Sequence, residues 1–387
     1  MFRSKYIKIL FIFSILLFAC TQKDSVSHVC GLQADEVYLD YPVDDETVIP
    51  LFNLYTFKEN DKEYLAFSND ITRSLLIYDV LSGKLVKKVV FDSEGANGIG
   101  RDLCAFFIKD FNHIYIPDVY RNFIYETDTT GVVKRRLDFS EAVAGFRTSP
   151  AYITNHDERA LFLKDNLLCI PQDYKSDVDE KQSSTYIVID LENGKVTPYS
   201  IPFPDWVLEK SQGKTVEIPS SYSSTYNGDE LIYSFAMDNQ LYKVNLQSMQ
   251  VEQKMAKSIF IFELDYTKMP DDFNRILKKT CESAGYGRIL YDKYRKVYYR
   301  IAYAETELES GLDYRKILHT GKAEFSIIIL DEDLNVLGET KFPAFTYVPH
   351  ICFIREDGLY ISTSHFMRED YSDDWLRFQR IELVKNK

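Results

Sequence analysis

An all-β fold, a six-bladed β-propeller of four-stranded blades with the last blade closed by an N-terminal strand, is predicted by three observations. One unit of four short strands recurs six times along the 387 residues. The third strand of most units ends in a turn Asp, at Asp79, Asp128, Asp190 and Asp331, with Asn245 in the fourth unit. The sixth unit lacks its outermost strand, while an unassigned strand-like segment, Glu36 to Tyr41, precedes the first. Val37 to Leu39 then completes the last blade and hides an edge that would otherwise invite pairing with other chains. The 28 Tyr and 26 Phe fit this class, since flat aromatic side chains pack well on pleated surfaces.

Each blade can be traced in order. The first runs through Leu51 to Phe57, Tyr64 to Phe67, Leu75 to Asp79 and Leu85 to Phe91. The second takes Leu103 to Ile108, Ile114 to Pro117, Phe123 to Asp128 and Val132 to Phe139. Ala160 to Leu163, Leu167 to Pro171, Tyr186 to Asp190 and Lys195 to Ile201 make the third. The fourth uses Glu217 to Tyr226, Leu231 to Ala236, Gln240 to Leu246 and Val251 to Ala256. Ile289 to Tyr291, Lys296 to Ala302, Phe325 to Asp331 and Val336 to Phe342 form the fifth, and Ile351 to Ile354, Leu359 to Thr363 and Phe378 to Val384 the sixth. Between strands, Pro270 to Ala284 predicts a helix, with Asp271 and Asp272 in its first turn and Gly285 after its end. Its Phe273, Ile276, Leu277 and Thr280 share a face expected to pack as a lid on the loop side.

The N-terminus predicts export. Arg3, Lys5 and Lys8 precede an apolar run from Ile9 to Phe18, broken only by Ser14 and too short to span a bilayer, then Ala19 and Cys20. Leu17 to Cys20 resembles a bacterial lipobox, which makes Cys20 the lipidated first residue of the mature chain. The expected division is a signal over 1–19, a tether over 20–35 and the propeller over 36–387. Thr21 to Asp24 resembles the short acidic signal that sends lipoproteins of Bacteroides-type bacteria to the cell surface. The expected address is therefore the cell envelope, at the outer membrane and facing either the surface or the periplasm, with the membrane contacted through the anchor on Cys20.

With 46 basic and 59 acidic residues the chain carries −13, which argues against nucleic-acid partners. Cys30, Cys104, Cys169, Cys281 and Cys352 show no CxxC or Cys/His spacing, so no metal site is predicted, and buried thiols are expected at Cys104, Cys169 and Cys352. Cys30, in the tether, is left open between pairing and remaining free. Asp331, Asp333 and Asn335 match the start of a calcium loop, but Val336 stands where its glycine turn is needed. No GxSxG, HExxH or phosphate-binding loop is present, and no cofactor is expected.

Taken together, the export signal, the length, the blade pattern and the string Glu94-Gly95-Ala96-Asn97-Gly98-Ile99-Gly100 resemble the six-bladed propeller lipoproteins of Bacteroides-type bacteria grouped as domain-of-unknown-function family 4221. The resemblance implies the fold and brings no catalytic residues.

Long insertions fall on one side of the predicted ring, in the connections between blades and from second to third strands; such loops on a rigid scaffold are where recognition sits. Arg101, Arg159, Arg288 and His350 stand just before the innermost strands, where they would ring the mouth of the central channel as a positive funnel for a carboxylate, sulfate or phosphate. Asn97, Gly98 and Gly100 would add backbone amides. Pairing of each arginine with a neighbour such as Asp102 or Glu158 is the competing expectation. The leading function is a lipid-anchored binding module for an envelope protein, peptide or glycan. The alternative is a hydrolase or lyase of an anionic polysaccharide at the channel mouth, with Arg101, Arg159 and Arg288 holding acid groups and a histidine such as His350 as base.

Overall fold

A computed structural model describes residues 29–385 except 48, 50, 52, 70, 102, 104, 119–120, 139–158, 160, 172–185, 200–220 and 267–269. Six separate four-stranded antiparallel sheets form a ring, and each is one blade. Blade 1 is β2 (Tyr55–Glu59), β3 (Lys62–Asn69), β4 (Ser74–Asp79) and β5 (Leu85–Val90); blade 2 is β6 (Phe107–Asp110), β7 (His113–Pro117), β8 (Phe123–Thr127) and β9 (Arg135–Asp138). Blade 3 follows as β10 (Phe162–Lys164), β11 (Leu167–Pro171), β12 (Tyr186–Asp190) and β13 (Val196–Tyr199), and blade 4 as β14 (Tyr222–Tyr226), β15 (Glu230–Phe235), β16 (Gln240–Asn245) and β17 (Val251–Met255). Blade 5 holds β18 (Gly285–Asp292), β19 (Val297–Tyr303), β20 (Phe325–Leu330) and β21 (Val336–Phe342).

Blade 6 closes the ring as expected. It joins β22 (Val348–Arg355), β23 (Gly358–Ser362) and β24 (Trp375–Lys385) to β1 (Cys30–Pro42), the first strand of the chain. β1 starts well before Glu36, so residues 30–35, assigned above to a tether, belong to the blade: Cys30 pairs with Lys385, Leu32 with Leu383 and Ala34 with Ile381 before an irregularity shifts the register to Tyr38 and Gln379. The alternation explains why: Cys30 and Leu32 are buried against blade 5, a pattern that polar Gln33 and Asp35 disguise in the sequence. Cys30 is a free, buried thiol, as are Cys169, Cys281 and Cys352; Cys104 lies outside the described residues.

The core is divided among the seams between blades. Leu65, Phe67, Leu76 and Tyr78 of blade 1 face Tyr41, Phe353 and Phe378 of blade 6, while the intervening Tyr64, Ala66, Leu75 and Ile77 face Leu103, Ile114 and Tyr125 of blade 2. Middle strands are thus apolar on both faces, which gives them the continuous hydrophobic runs seen in the sequence. Gly83, at φ +64°, lets the β4–β5 turn press against β1, where a Cβ would collide with the carbonyl oxygen of Asp40.

The recurrent turn acids are structural. The carboxylate of Asp79 accepts the Ser82 amide at 2.8 Å, that of Asp128 the Thr130 amide at 2.7 Å, and that of Asp190 the Glu192 amide at 2.9 Å. Asp331 accepts from Asp333 and Asn335, and the Asn245 side-chain oxygen does the same for Gln247 and Ser248.

The predicted helix is α1 (Phe273–Glu282), N-capped by Asp272, whose carboxylate accepts the Arg275 amide at 2.9 Å. It packs on α2 (Tyr314–Thr320), which the sequence reading passed over, through Leu277, Cys281, Ile317 and Leu318. Phe273, expected on the buried stripe, is exposed and lies beneath the Arg315 guanidinium instead. Among the described residues no helix is long and apolar enough to cross a membrane.

Candidate functional site

A cavity of about 490 Å³ lies at the centre of the ring. Its wall is made largely by first strands: Tyr55 and Phe57 of β2, Ser224 and Tyr226 of β14, Ile289 and Tyr291 of β18, Phe353 and Ile354 of β22. The first strand of a blade is therefore the one that faces the axis. The volume falls within the usual range for small-ligand sites, and the lining mixes aromatic and aliphatic side chains with charged ones.

Of the predicted funnel, two members reach this cavity. Arg159 lines it; only 7 % exposed, it donates from Nε to the Tyr222 carbonyl oxygen at 3.2 Å and stacks 4.4 Å above the Tyr222 ring. Arg288 lines it too, with Nη1 donating to the carbonyl oxygens of His350 and Cys352, each at 2.8 Å. The two guanidiniums are thus held in place by backbone of the next blade, blade 3's arginine by blade 4 and blade 5's by blade 6.

The other members sit elsewhere. His350 is only 2 % exposed and its side chain is not part of the cavity wall. The β22 register shifts between Val348 and Cys352, and His350 lies in the buried stretch of that strand. Arg101 is exposed and outside the cavity lining. Asn97 is outside the cavity lining, in a turn where the Gly98 amide donates to the Gly95 carbonyl oxygen and the Ile99 amide to that of Asp92, so the Gly98 amide is already used. Asp102, Glu158 and Cys20 lie outside the described residues.

What the sequence reading missed is the opposite end. Lys58, Lys293, Tyr294, Arg355 and Glu63 line the cavity where the first strands finish. Glu63 accepts from Arg355 Nε at 2.8 Å and pairs with Lys58 at 3.2 Å. Burial works to raise the Glu63 carboxyl, but its bonds to Arg355 and Lys58 outweigh that and hold it below its ordinary value. Lys58 is pushed up by Tyr294 and Glu63. Lys58 and Lys293 lie 5.7 and 5.2 Å from the Tyr294 ring centroid. The sequence carries a signal for it: a basic residue stands at or beside the end of the first strand of most units, at Lys58, Lys109, Lys164, Lys293 and Arg355. Between the two ends, burial drives the Tyr55 hydroxyl far above its ordinary pKa, so it is a neutral hydrogen-bonding group.

Among the described residues no three His, Cys, Asp or Glu side chains gather in a group able to hold a metal ion.

The profile described as "Domain of unknown function (DUF4221)" matches residues 32–341. The chain belongs to the DUF4221 family. A solved DUF4221 member from Bacteroides vulgatus superposes with a TM-score of 0.77 at 24% identity, over 93% of this chain and 99% of that one. A Bacteroides fragilis protein described as a "Putative exported protein" superposes with a TM-score of 0.55 at 13% identity, over 92% of this chain and 96% of that one. Both likenesses concern the fold. Comparison with curated proteins finds no match. DUF4221 membership covers the ring from β1 to β21, and so includes the strands that bear Arg159 and Arg288.

Proposed function

We propose that this DUF4221 chain is a lipid-anchored binding module of the cell envelope, whose propeller channel receives an acidic group of a peptide or glycan. The observation that supports the reading is the convergence of Arg159 and Arg288 on one cavity, each oriented by backbone carbonyls of the neighbouring blade. Guanidiniums fixed in this way lose little freedom when they bind a carboxylate, sulfate or phosphate. Tyr55, Tyr226 and Tyr291 along the wall offer faces and hydroxyls for the rest of the ligand. An outer-membrane address follows from the predicted signal and Cys20, and accords with the exported assignment of the Bacteroides fragilis protein.

The test is the melting temperature of the chain begun after residue 28, against acidic oligosaccharides and acidic peptides. A ligand at ~100 times its Kd should add about 2.7 kcal/mol of stability. The same shift should vanish in Arg288→Ala while that variant still melts cooperatively. A shift that persists undiminished in Arg288→Ala removes the arginines from the site. Acyl labelling of the full chain that survives Cys20→Ser would remove the anchor from the reading.

A further inference from the structure

A second surface, away from the channel, carries apolar side chains that the fold holds in water. Ile259 is 63 % exposed and Phe262 92 % exposed, with Phe260 exposed between them and Met255 beside them at the end of β17. The turn that bears them is tightly fastened. The Ser258 amide donates to the Tyr286 hydroxyl at 3.1 Å, the Ser258 hydroxyl and Ile259 amide donate to the Glu339 carboxylate at 2.6 and 2.8 Å, and Lys257 Nζ donates to the Phe262 carbonyl oxygen at 3.0 Å. Ile261 is buried with Leu264, Tyr286 and Ala302, which fixes the direction of its neighbours. Phe262 therefore has no route back to the core, and contiguous exposure of this kind marks a contact surface.

β21 identifies what it contacts. Its Glu339 holds the turn, and Thr340, pointing to the other face of the strand, accepts the Leu32 amide of β1 at 2.9 Å. The Val29 amide donates to the Leu337 carbonyl oxygen at 2.8 Å. The chain thus enters the propeller one strand away from the apolar turn. Cys20 precedes Val29 by so few residues that their fully extended span is at most about 32 Å at ~3.6 Å per residue. A bilayer holding acyl chains on Cys20 is within reach of this flank of blades 4 and 5.

We propose that Ile259, Phe260 and Phe262 enter the acyl region of the phospholipid bilayer that carries the Cys20 anchor, a second point of contact that fixes how the propeller sits on the membrane. The proposal rests on the lipidation of Cys20. Contact is apolar, because a chain of net charge −13 gains nothing from an anionic surface. Lys257 supplies a cation at headgroup level on a long apolar stem, and Lys341, ion-paired with Glu324 at 2.6 Å, holds its ammonium 5.8 Å from the Phe260 ring centroid. With the flank of the ring on the membrane, both channel mouths stay in water.

The experiment uses the full lipidated chain in phosphatidylcholine vesicles with ordinary or brominated acyl chains. Phe262→Trp is compared with Val132→Trp, at an exposed position of blade 2, after subtraction of the parent's own tryptophan emission. The expected result is a blue shift and bromine quenching of the emission added by Phe262→Trp, with neither for Val132→Trp. Absence of quenching in both, with flotation confirming the chain on vesicles, overturns the proposal. So does a blue shift that needs no vesicles and grows with protein concentration, which would assign the patch to a second copy of the chain. Flotation of Cys20→Ser equal to that of the parent would instead overturn the anchor reading, and the Phe262→Trp quenching would still decide this one.

Discussion

Arg288 and Arg300 stand on neighbouring strands of blade 5 and serve different ends. Arg300 is wholly buried in the seam with blade 4, where Nε donates to the Ser234 hydroxyl at 2.9 Å, Nη1 to the Ala256 carbonyl oxygen at 2.9 Å and Nη2 to that of Asp238 at 2.5 Å. Its guanidinium lies 3.5 Å from the Tyr286 ring centroid, and burial lowers it to about 10. Arg288 uses carbonyls of blade 6 to orient itself along the cavity wall. The first arginine binds blade to blade; the second is offered to the channel. The Arg300 guanidinium is enclosed entirely in its seam, whereas that of Arg288 also lines the cavity.

The comparison breaks most directly by truncation. Arg300→Met leaves the carbonyl oxygens of Asp238 and Ala256 buried without a donor and should lower stability by about 3–5 kcal/mol. Arg288→Met loses half-buried bonds beside the cavity, to the carbonyl oxygens of His350 and Cys352 and to Cys352 Sγ, and should lower it by only about 1–2 kcal/mol. Urea midpoints of the two variants measure the difference, and equal losses would make Arg288 a seam arginine as well.

A buried imidazole sharpens the contrast through pH. His365 is fully buried between α2 and the loop after β23, accepting the Met367 amide on Nδ1 and meeting the Thr320 hydroxyl at Nε2. Desolvation lowers it from 6.5 to about 4, so the folded chain holds it neutral while the unfolded chain takes up a proton. Stability is then present in full above pH 6.5 and lost as pH falls towards 4, by about 3 kcal/mol in total. Denaturation midpoints of the parent at pH 7 and pH 4.5 should differ more than those of His365→Gln; parallel curves would place the acid sensitivity in other groups.

These contrasts also mark what was legible in the sequence. Blade number, strand order and the turn acids were readable because each repeats, and ring closure because the repeat left one strand missing at one end of the chain and one spare at the other. The beginning of β1 was not, because Gln33 and Asp35 make a strand buried on one face look like a linker. Half of the site was readable for the same reason. Arg159 and Arg288 were placed by their position relative to first strands, but periodicity of 2 could not say that His350 turns inward, since the β22 register shifts between Val348 and Cys352. Lys58, Lys293 and Arg355 required knowing that the cavity runs the length of the first strands to their far ends.

The turn acids give a smaller effect and a control. Bonds from the Ser82 amide and hydroxyl hold the Asp79 carboxyl below its ordinary value, so Asp79→Ala should cost about 1 kcal/mol at pH 7. The loss should fade as pH drops below the ordinary carboxylate range, where the protonated acid no longer accepts as strongly. A loss independent of pH would point to turn geometry rather than charge.

The smallest effect on stability tests how far into the channel a ligand reaches. Lys293 is exposed at the far end, where its ammonium lies over Tyr294, and Lys293→Ala should change stability by less than about 0.5 kcal/mol. Its consequence for binding depends on ligand length. A short acid held at Arg288 does not touch it, whereas a ligand acidic at both ends gains from Lys58 and Lys293 together. Titration of Lys293→Ala with a graded series of acidic oligosaccharides should therefore show unchanged affinity for the shortest and weaker affinity once the chain spans the cavity. Uniform affinity along the series would confine recognition to the arginine end, and the lysine cluster would then serve only to position the turn that carries Tyr294.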